Sequence, residues 1–182
     1  SENIEAIDEN GDEYRQIKGM VRGRNSTLNV YESSLKTTNI PPGDICEGDL
    51  IRYRTSYNGR VSAIDLLYDE SENRRIGWKN DNEKYSLFDN SYGANFQLSF
   101  GYVSERGDSV IGWGYKSGQQ TDERINAVSA TFMFYDKQAK TDKVYKGNYR
   151  DIKDFKTTPG GEDIIIVQMN QGTIQAAVIY KK

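Results

Sequence analysis

The sequence predicts an all-β protein of two tandem, related small modules, barrel- or sandwich-like (OB-like or similar), with little helix. Three observations carry that expectation. Short runs alternate apolar and polar residues, as half-buried strands do. Gly-containing turns separate these runs. A strand–turn–strand unit also occurs twice. Gly48-Asp49-Leu50-Ile51-Arg52-Tyr53 leads through Asn58-Gly59-Arg60-Val61 to Ile64-Asp65-Leu66-Leu67-Tyr68. Glu162-Asp163-Ile164-Ile165-Ile166-Val167 leads through Asn170-Gln171-Gly172-Thr173-Ile174 to Ala177-Val178-Ile179-Tyr180.

The match extends upstream. Thr27–Glu32 aligns with Thr131–Asp136, and Gly19-Met20-Val21 with Arg24 aligns with Gly101-Tyr102-Val103 with Arg106. The blocks keep their order in both copies. The second copy is longer, with most of the excess between Gly107 and Thr131, where an inserted hairpin is expected.

Residues 1–13 are polar and acidic and read as a flexible leader or a docking strand. Residues 14–72 form the first module, 73–94 a connector, and 95–182 the second module with its inserted hairpin. Tyr14 to Tyr31 holds two strands around Gly23-Arg24-Asn25-Ser26. Pro41-Pro42-Gly43-Asp44 is a turn, because Pro presets φ and Gly tolerates positive φ. Leu50–Tyr57 is a strand, and Asn58-Gly59 predicts a two-residue type I′ hairpin turn. The apolar phase slips by one between Ala63 and Ile64, which predicts a β-bulge there. In the connector, two charge runs are punctuated by Ile76, Trp78, Leu87 and Phe88. Strands are expected around Phe96–Phe100, Tyr102-Val103, Val110–Trp113, Val128–Tyr135, Lys143–Tyr149 and the final hairpin. Asp151–Phe155 reads as one helical turn. The one place for a longer helix is Ile4–Gln16, and Gly11 weakens it.

The chain has 182 residues with 36% hydrophobic and 12% aromatic content. Even with glycine counted in, the apolar share falls below the ordinary globular range of about 45–50%. The 13 tyrosines offset part of that deficit, since a ring can be half-buried while its hydroxyl stays wet. The net charge of −3 with well-mixed signs argues against a nucleic-acid partner, which calls for a basic stripe. No apolar run is long enough to insert in a membrane. The acidic N-terminus does not read as a signal peptide.

Histidine is absent, which removes the Ser-His-Asp triad, the Cys-His dyad and His-ligated metal sites. Cys46 is the single cysteine, so no internal disulfide forms, and it reads as a small buried residue beside a turn. Glu70, Glu72, Asp81, Glu83, Glu162 and Asp163 lie in polar turns and read as solvated carboxylates. Asp8-Glu9-Asn10-Gly11-Asp12 resembles a Ca²⁺ loop but fails its spacing, because the sixth position is Glu13 and the twelfth is Gly19. Neither a catalytic constellation nor a cofactor or metal site is expected, and the chain reads as no enzyme. Tyr53, Tyr57, Trp78 and Trp113 are the candidate ligand or interface aromatics. Ile4 and Ala6 mark a strand that could be donated to a partner.

Gly48–Tyr53 followed by Asn58–Val61, and Val144-Tyr145 with Asp151-Ile152 ahead of Ile164–Val167 and Val178–Tyr180, resemble a known module type. It is the small β-module found near S-layer-homology domains in cell-surface proteins of Gram-positive, mostly Clostridia-like, bacteria. The resemblance covers most of residues 17–182. The S-layer-homology motif itself is absent, so any wall anchor is expected outside this sequence. The resemblance implies an extracellular structural role without catalytic residues: a self-assembling component of a cell surface, surface layer, filament or appendage. Its expected partners are its own copies, other surface proteins and cell-wall polysaccharide. A phage or phage-like tail protein and a carbohydrate-binding module are the alternatives.

Overall fold

The computed structural model describes residues 3–89, 96–127, 130–170 and 173–182. Within them the protein is all-β, with short 3-10 turns and no α-helix. The chain divides into two compact units, Ser1–Gly77 and Trp78–Lys182.

In the first unit, β1 (Asn3–Ile7), β2 (Glu13–Val21) and β3 (Arg24–Val30) form an antiparallel sheet. Residues 3–7 and 13 of the expected leader are therefore built into this sheet, with Asn3 opposite Ile17 and Ile7 opposite Glu13. The β2–β3 turn is the type I′ turn of this unit, with positive φ at Arg22 and Gly23. A second sheet holds β4 (Thr37–Thr38), β5 (Leu50–Thr55), β6 (Val61–Asp69) and β7 (Arg74–Arg75). The β5–β6 turn differs from the expected two-residue type. Ser56 closes on Arg60 (N–H to O, 2.8 Å), and of the three loop residues only Gly59 has positive φ.

The apolar phase slip in β6 has a different cause from the one expected. Register shifts fall opposite Leu50/Ile51 and Arg54/Thr55, where β6 carries Leu67 and Ser62 as extra residues, and not at Ala63/Ile64. Val61, Ala63, Ile64, Leu66, Leu67 and Tyr68 are all buried. A strand covered on both faces has no solvent face to keep polar, so its sequence reads as a continuous apolar run.

The second unit has one mixed sheet. It contains β8 (Lys79–Asp81), β9 (Lys84–Asp89), β10 (Phe96–Arg106), β11 (Val110–Gly114) and β12 (Glu123–Asn126). It continues with β13 (Phe132–Tyr135), β14 (Val144–Gly147), β15 (Ile164–Asn170) and β16 (Thr173–Tyr180). The stretch expected as a connector is thus shared out: β7 pairs with β6, while β8 and β9 pair onward to β10. Val128 and Gly172 lie outside the described residues. The expected helical turn at Asp151–Phe155 is a 3-10 turn at Tyr149–Asp151, capped by Asn148. Neither unit closes into a barrel, because the sheets end on open strands such as β1, β5, β12 and β14.

The two units share one hydrogen-bonded motif. In the first, a 3-10 turn (Pro42–Asp44) precedes buried Ile45. Asp49 Oδ2 then accepts the Cys46 N–H (2.8 Å) and Oδ1 the Glu70 N–H (3.2 Å). In the second, the 3-10 turn at Tyr149–Asp151 precedes buried Ile152. Asp163 Oδ2 accepts the Lys153 N–H (2.8 Å) and Oδ1 the Lys182 N–H (3.2 Å). In each hairpin the residue after the aspartate pairs with a tyrosine, Leu50 with Tyr68 and Ile164 with Tyr180. In each, a parallel strand lies against the return strand, β4 on β6 and β13 on β16. The pairing role of Thr131–Asp136 therefore corresponds to the segment around Thr37–Thr38. It does not correspond to Thr27–Glu32, which belongs to the antiparallel pairing of β2 with β3.

Asp163 is fully buried and paired with Lys181 at 3.0 Å. Asp49 is less deeply set, and its pKa is raised by burial, with Asp69 and Glu70 adding to the rise against the N–H donors of Cys46 and Glu70. Both tryptophans, Trp78 and Trp113, lie in the second unit, so their fluorescence follows that unit alone during urea unfolding. Asp163→Ala is expected to destabilise it by about 3–5 kcal/mol, the cost of stranding a buried cation. Asp49→Ala is expected to cost the first unit about 1–3 kcal/mol in amide exchange, for backbone donors left unpaired. A raised carboxyl pKa gives stability that is full below the unfolded value and lost as pH rises through the folded one. The margin of wild type over Asp49→Ala should therefore narrow as pH climbs from below 3.8, the ordinary aspartate value.

Candidate functional site

The failed Ca²⁺ loop is the turn between β1 and β2. Asp8 Oδ1 accepts the N–H groups of Asn10 (2.9 Å) and Asp12 (3.0 Å), so this carboxylate is engaged in turn geometry. Burial pulls the Asp8 pKa up, but those N–H donors, the Tyr31 hydroxyl and Arg60 outweigh it and leave the pKa lowered. Arg60 reaches Asp12 at 3.5 Å and stacks 4.1 Å over the Tyr31 ring, which lies 5.1 Å from the Tyr14 ring. A cleft of about 570 Å³ borders β1 and is lined in part by Glu5, Ile7, Asp12, Tyr14 and Arg15.

The expected aromatics do not gather into one face. Tyr53 is half-buried and packs against the first unit's core with Ile51 and Leu28. Tyr57 stands fully exposed (104%) in the β5–β6 turn. Trp78 is half-buried and meets Phe100 edge-on at 6.3 Å within the second unit. Trp113 is a correction: at 1% exposure it belongs to the core, with its indole N–H donating to Ser99 (3.3 Å). It seats there because Gly101 has no side chain, and a Cβ on Gly101 would come within 2.1 Å of the indole. Ile4 and Ala6 lie on β1, paired with Gln16 and Tyr14 of β2. Cys46, expected to be buried, is exposed, because the buried side chain before the clamp is Ile45.

Sequence reasoning missed a second cleft, of about 440 Å³, in the second unit. Its walls are the β8–β9 turn at Asn82-Glu83 and the loop from Tyr115 to Asp122. Both turn residues have positive φ, at 49° and 72°, the latter uncommon for a glutamate. Tyr115 donates its hydroxyl to Glu123 (2.7 Å), which also accepts from Lys84 (2.5 Å). Burial raises the Tyr115 pKa well above the usual phenol, and the hydrogen bond and charge of Glu123 add to it. For Glu123, burial pulls upward, but the bonds from Lys84 and Tyr115 win and lower its pKa. On the rim, Lys116 pairs with Glu83.

The loop is held from beneath. Asp122 N–H donates to Trp113 O (3.0 Å), Tyr115 N–H to Asp122 Oδ2 (3.2 Å), and Thr121 shares a hydroxyl bond with Ser104 (2.7 Å). Glu162 and Asp163, read as solvated turn acids, are both buried. Glu162, 1% exposed, accepts from the Ser117 hydroxyl and from the Gly118 N–H (3.2 Å), while its Oε2 has no hydrogen-bond partner. Burial pulls its pKa up, and the Ser117, backbone and Lys182 interactions bring it below the usual value. The one sequence signal for the Asp163 clamp was its alignment with Asp49 in the repeat.

Among the described residues, no group of three or more acidic, cysteine or histidine side chains is placed to hold a metal. No protein-family model matches the chain, and neither a curated protein nor a solved structure matches it.

The Tyr115–Glu123–Lys84 arrangement is testable by titration. Glu123 should ionise below the ordinary glutamate value, and Lys84→Met should move that midpoint upward, read by carboxyl carbon shifts. Since its folded pKa is depressed, the stability Glu123 contributes is present above the unfolded pKa and lost as pH falls through the folded one. Tyr115 should resist ionisation until well above pH 10, and Glu123→Gln should bring its ultraviolet titration down.

Proposed function

We propose that this chain is a non-enzymatic structural component of a bacterial cell surface, surface layer or extracellular appendage. Its copies associate through β-strand edges. The observation that carries the reading is the outer edge of β1. Five consecutive residues pair with β2 on the inner side without a register shift, and the sheet ends there. Ile4 (41%) and Ile7 (67%) are exposed beside that edge.

Natural proteins blunt such edges with Lys, Pro, bulges or charges. β12 carries Glu123 and Arg124, β5 carries Arg52 and Arg54, β14 carries Lys146, and β8 carries Lys79 and Asp81. β1 has no Pro, Lys or bulge, and its one acid, Glu5, is taken up by Arg15. An undefended edge is a template for strand addition. Since β1 is already bonded to β2, the edge receives a strand from a neighbouring copy. The resemblance to surface-layer-associated modules supports an extracellular setting, and the lack of histidine supports a role outside catalysis.

Light scattering across a concentration series, with negative-stain electron microscopy, tests this. The expected result is concentration-dependent oligomers or filaments. An Ile4→Lys, Ile7→Lys double variant should return the protein to monomer with its melting temperature little changed, since surface substitutions are usually within about 0.5 kcal/mol. A monomer at every concentration, or assembly indifferent to the double substitution, would remove the basis for this function.

A further inference from the structure

The second unit's cleft is built differently from the edge of β1, and its construction is informative. At the position where that unit has Glu162, ahead of its clamping aspartate, the first unit has Gly48. Gly48 precedes Asp49 without any buried acid, so the shared motif does not require one. Burying a carboxylate with one oxygen unpaired is unfavourable. The return is a fixed loop, because Glu162 pins Ser117 and Gly118 directly below exposed Gln119 and Gln120. Gly114 completes the seat, as a Cβ there would lie 2.7 Å from the Gln120 carbonyl oxygen and 3.3 Å from the Gln119 Cβ. Rigid presentation of polar side chains lowers the ordering cost of binding.

The lining selects the ligand class. Amides of Asn82, Gln119 and Gln120 each supply donors and an acceptor. The cations at the rim are matched by acids, Lys116 by Glu83 and Lys84 by Glu123, which leaves little attraction for an anion. Asp122 is engaged by the Tyr115 N–H. A cluster of acids fit for a metal is absent among the described residues. Tyr115 backs the wall and is only 8% exposed, so the polar side chains make up most of the lining. The volume of about 440 Å³ lies within the usual range for ligand sites. We infer that this cleft is a binding site for a neutral, polyhydroxylated ligand, an oligosaccharide, hydrogen-bonded by Asn82, Gln119 and Gln120. In this site Glu162 is a positioning residue.

The test uses the full chain, labelled with ¹⁵N, and three probes: chitotriose, cellotriose and maltotriose. At least one should shift the side-chain amide signals of Asn82, Gln119 and Gln120. A Gln119→Ala, Gln120→Ala double variant should bind at least about tenfold more weakly, a loss of about 1.4 kcal/mol, with an unchanged melting temperature. Glu162→Gln should weaken binding while hydrogen exchange at the Gly118 amide speeds up, a change a purely local contact at the rim would not cause. Absence of shifts with all three probes overturns the inference, as do shifts that survive the double substitution. Saturable shifts of the same amides with inorganic phosphate would overturn the neutral-ligand assignment. The titration is run in parallel on the Ile4→Lys, Ile7→Lys chain, whose signals assembly does not broaden, so assembly and glycan binding succeed or fail separately.

Discussion

Each unit depends on one carboxylate at the foot of a hairpin, β5–β6 in the first and β15–β16 in the second. Strand starts leave backbone N–H groups without ladder partners, and a buried unpaired donor is expensive. Asp49 and Asp163 each satisfy two of them at once, one from the segment entering the hairpin and one from the segment leaving it. That single side chain ties together a 3-10 turn, a buried isoleucine and both ends of the hairpin. The charges that surround the two carboxylates differ in sign. After Tyr68 the first unit places Asp69 and Glu70, whose charges oppose the Asp49 carboxylate. After Tyr180 the second unit places Lys181 and Lys182, and Lys181 pairs with Asp163. The acid with a cation beside it is the one that sinks fully into the core.

A second constraint shapes the core of the second unit. Aromatic side chains fill space over glycines. Gly101 receives Trp113, and a Cβ on Gly147 would come within 2.5 Å of Phe134. Phe134 in turn stacks on Tyr145 at 5.3 Å. One large ring over a bare backbone supplies the contact area of several aliphatic chains. The β15–β16 hairpin uses the same economy on both faces, with Ile165, Val167, Ala177 and Ile179 in the main cluster and Ile164, Ile166 and Tyr180 buried on the other side.

These two constraints set what a reader of the sequence could see. The all-β class was legible because alternation and glycine turns are local signals, and the final hairpin was legible because it recurs. Turn type was not. Asn58-Gly59 carries the usual type I′ residues, yet the turn adds Tyr57 to its loop, and the type I′ geometry appears at Arg22-Gly23. Trp113 could not be told from an exposed aromatic, since its burial depends on Gly101 in another strand. Glu162 and Asp163 sit in a run of Pro, Gly and charge, the composition of a solvated turn, and only tertiary packing buries them. The cleft was invisible for a related reason: its two walls are separated by more than thirty residues of sequence and meet through β9, β10 and β11.

The differences between the units are therefore more telling than their likeness. A shared scaffold needs the aspartate, the isoleucine and the paired tyrosine, and both units have them. The first unit adds a three-stranded sheet that ends on a strand with exposed isoleucines and one acid, Glu5, paired with Arg15. The second adds β12, the Tyr115–Asp122 loop and a buried glutamate that the clamp does not use. None of these additions is demanded by the hairpin, and the first unit, with Gly48 in the equivalent position, makes the same clamp without a buried glutamate. Features that a shared scaffold does not need persist when another demand retains them. By that argument the edge of β1 and the glutamine-bearing loop are the two places we propose for contact with other molecules, each on a unit whose core is already complete.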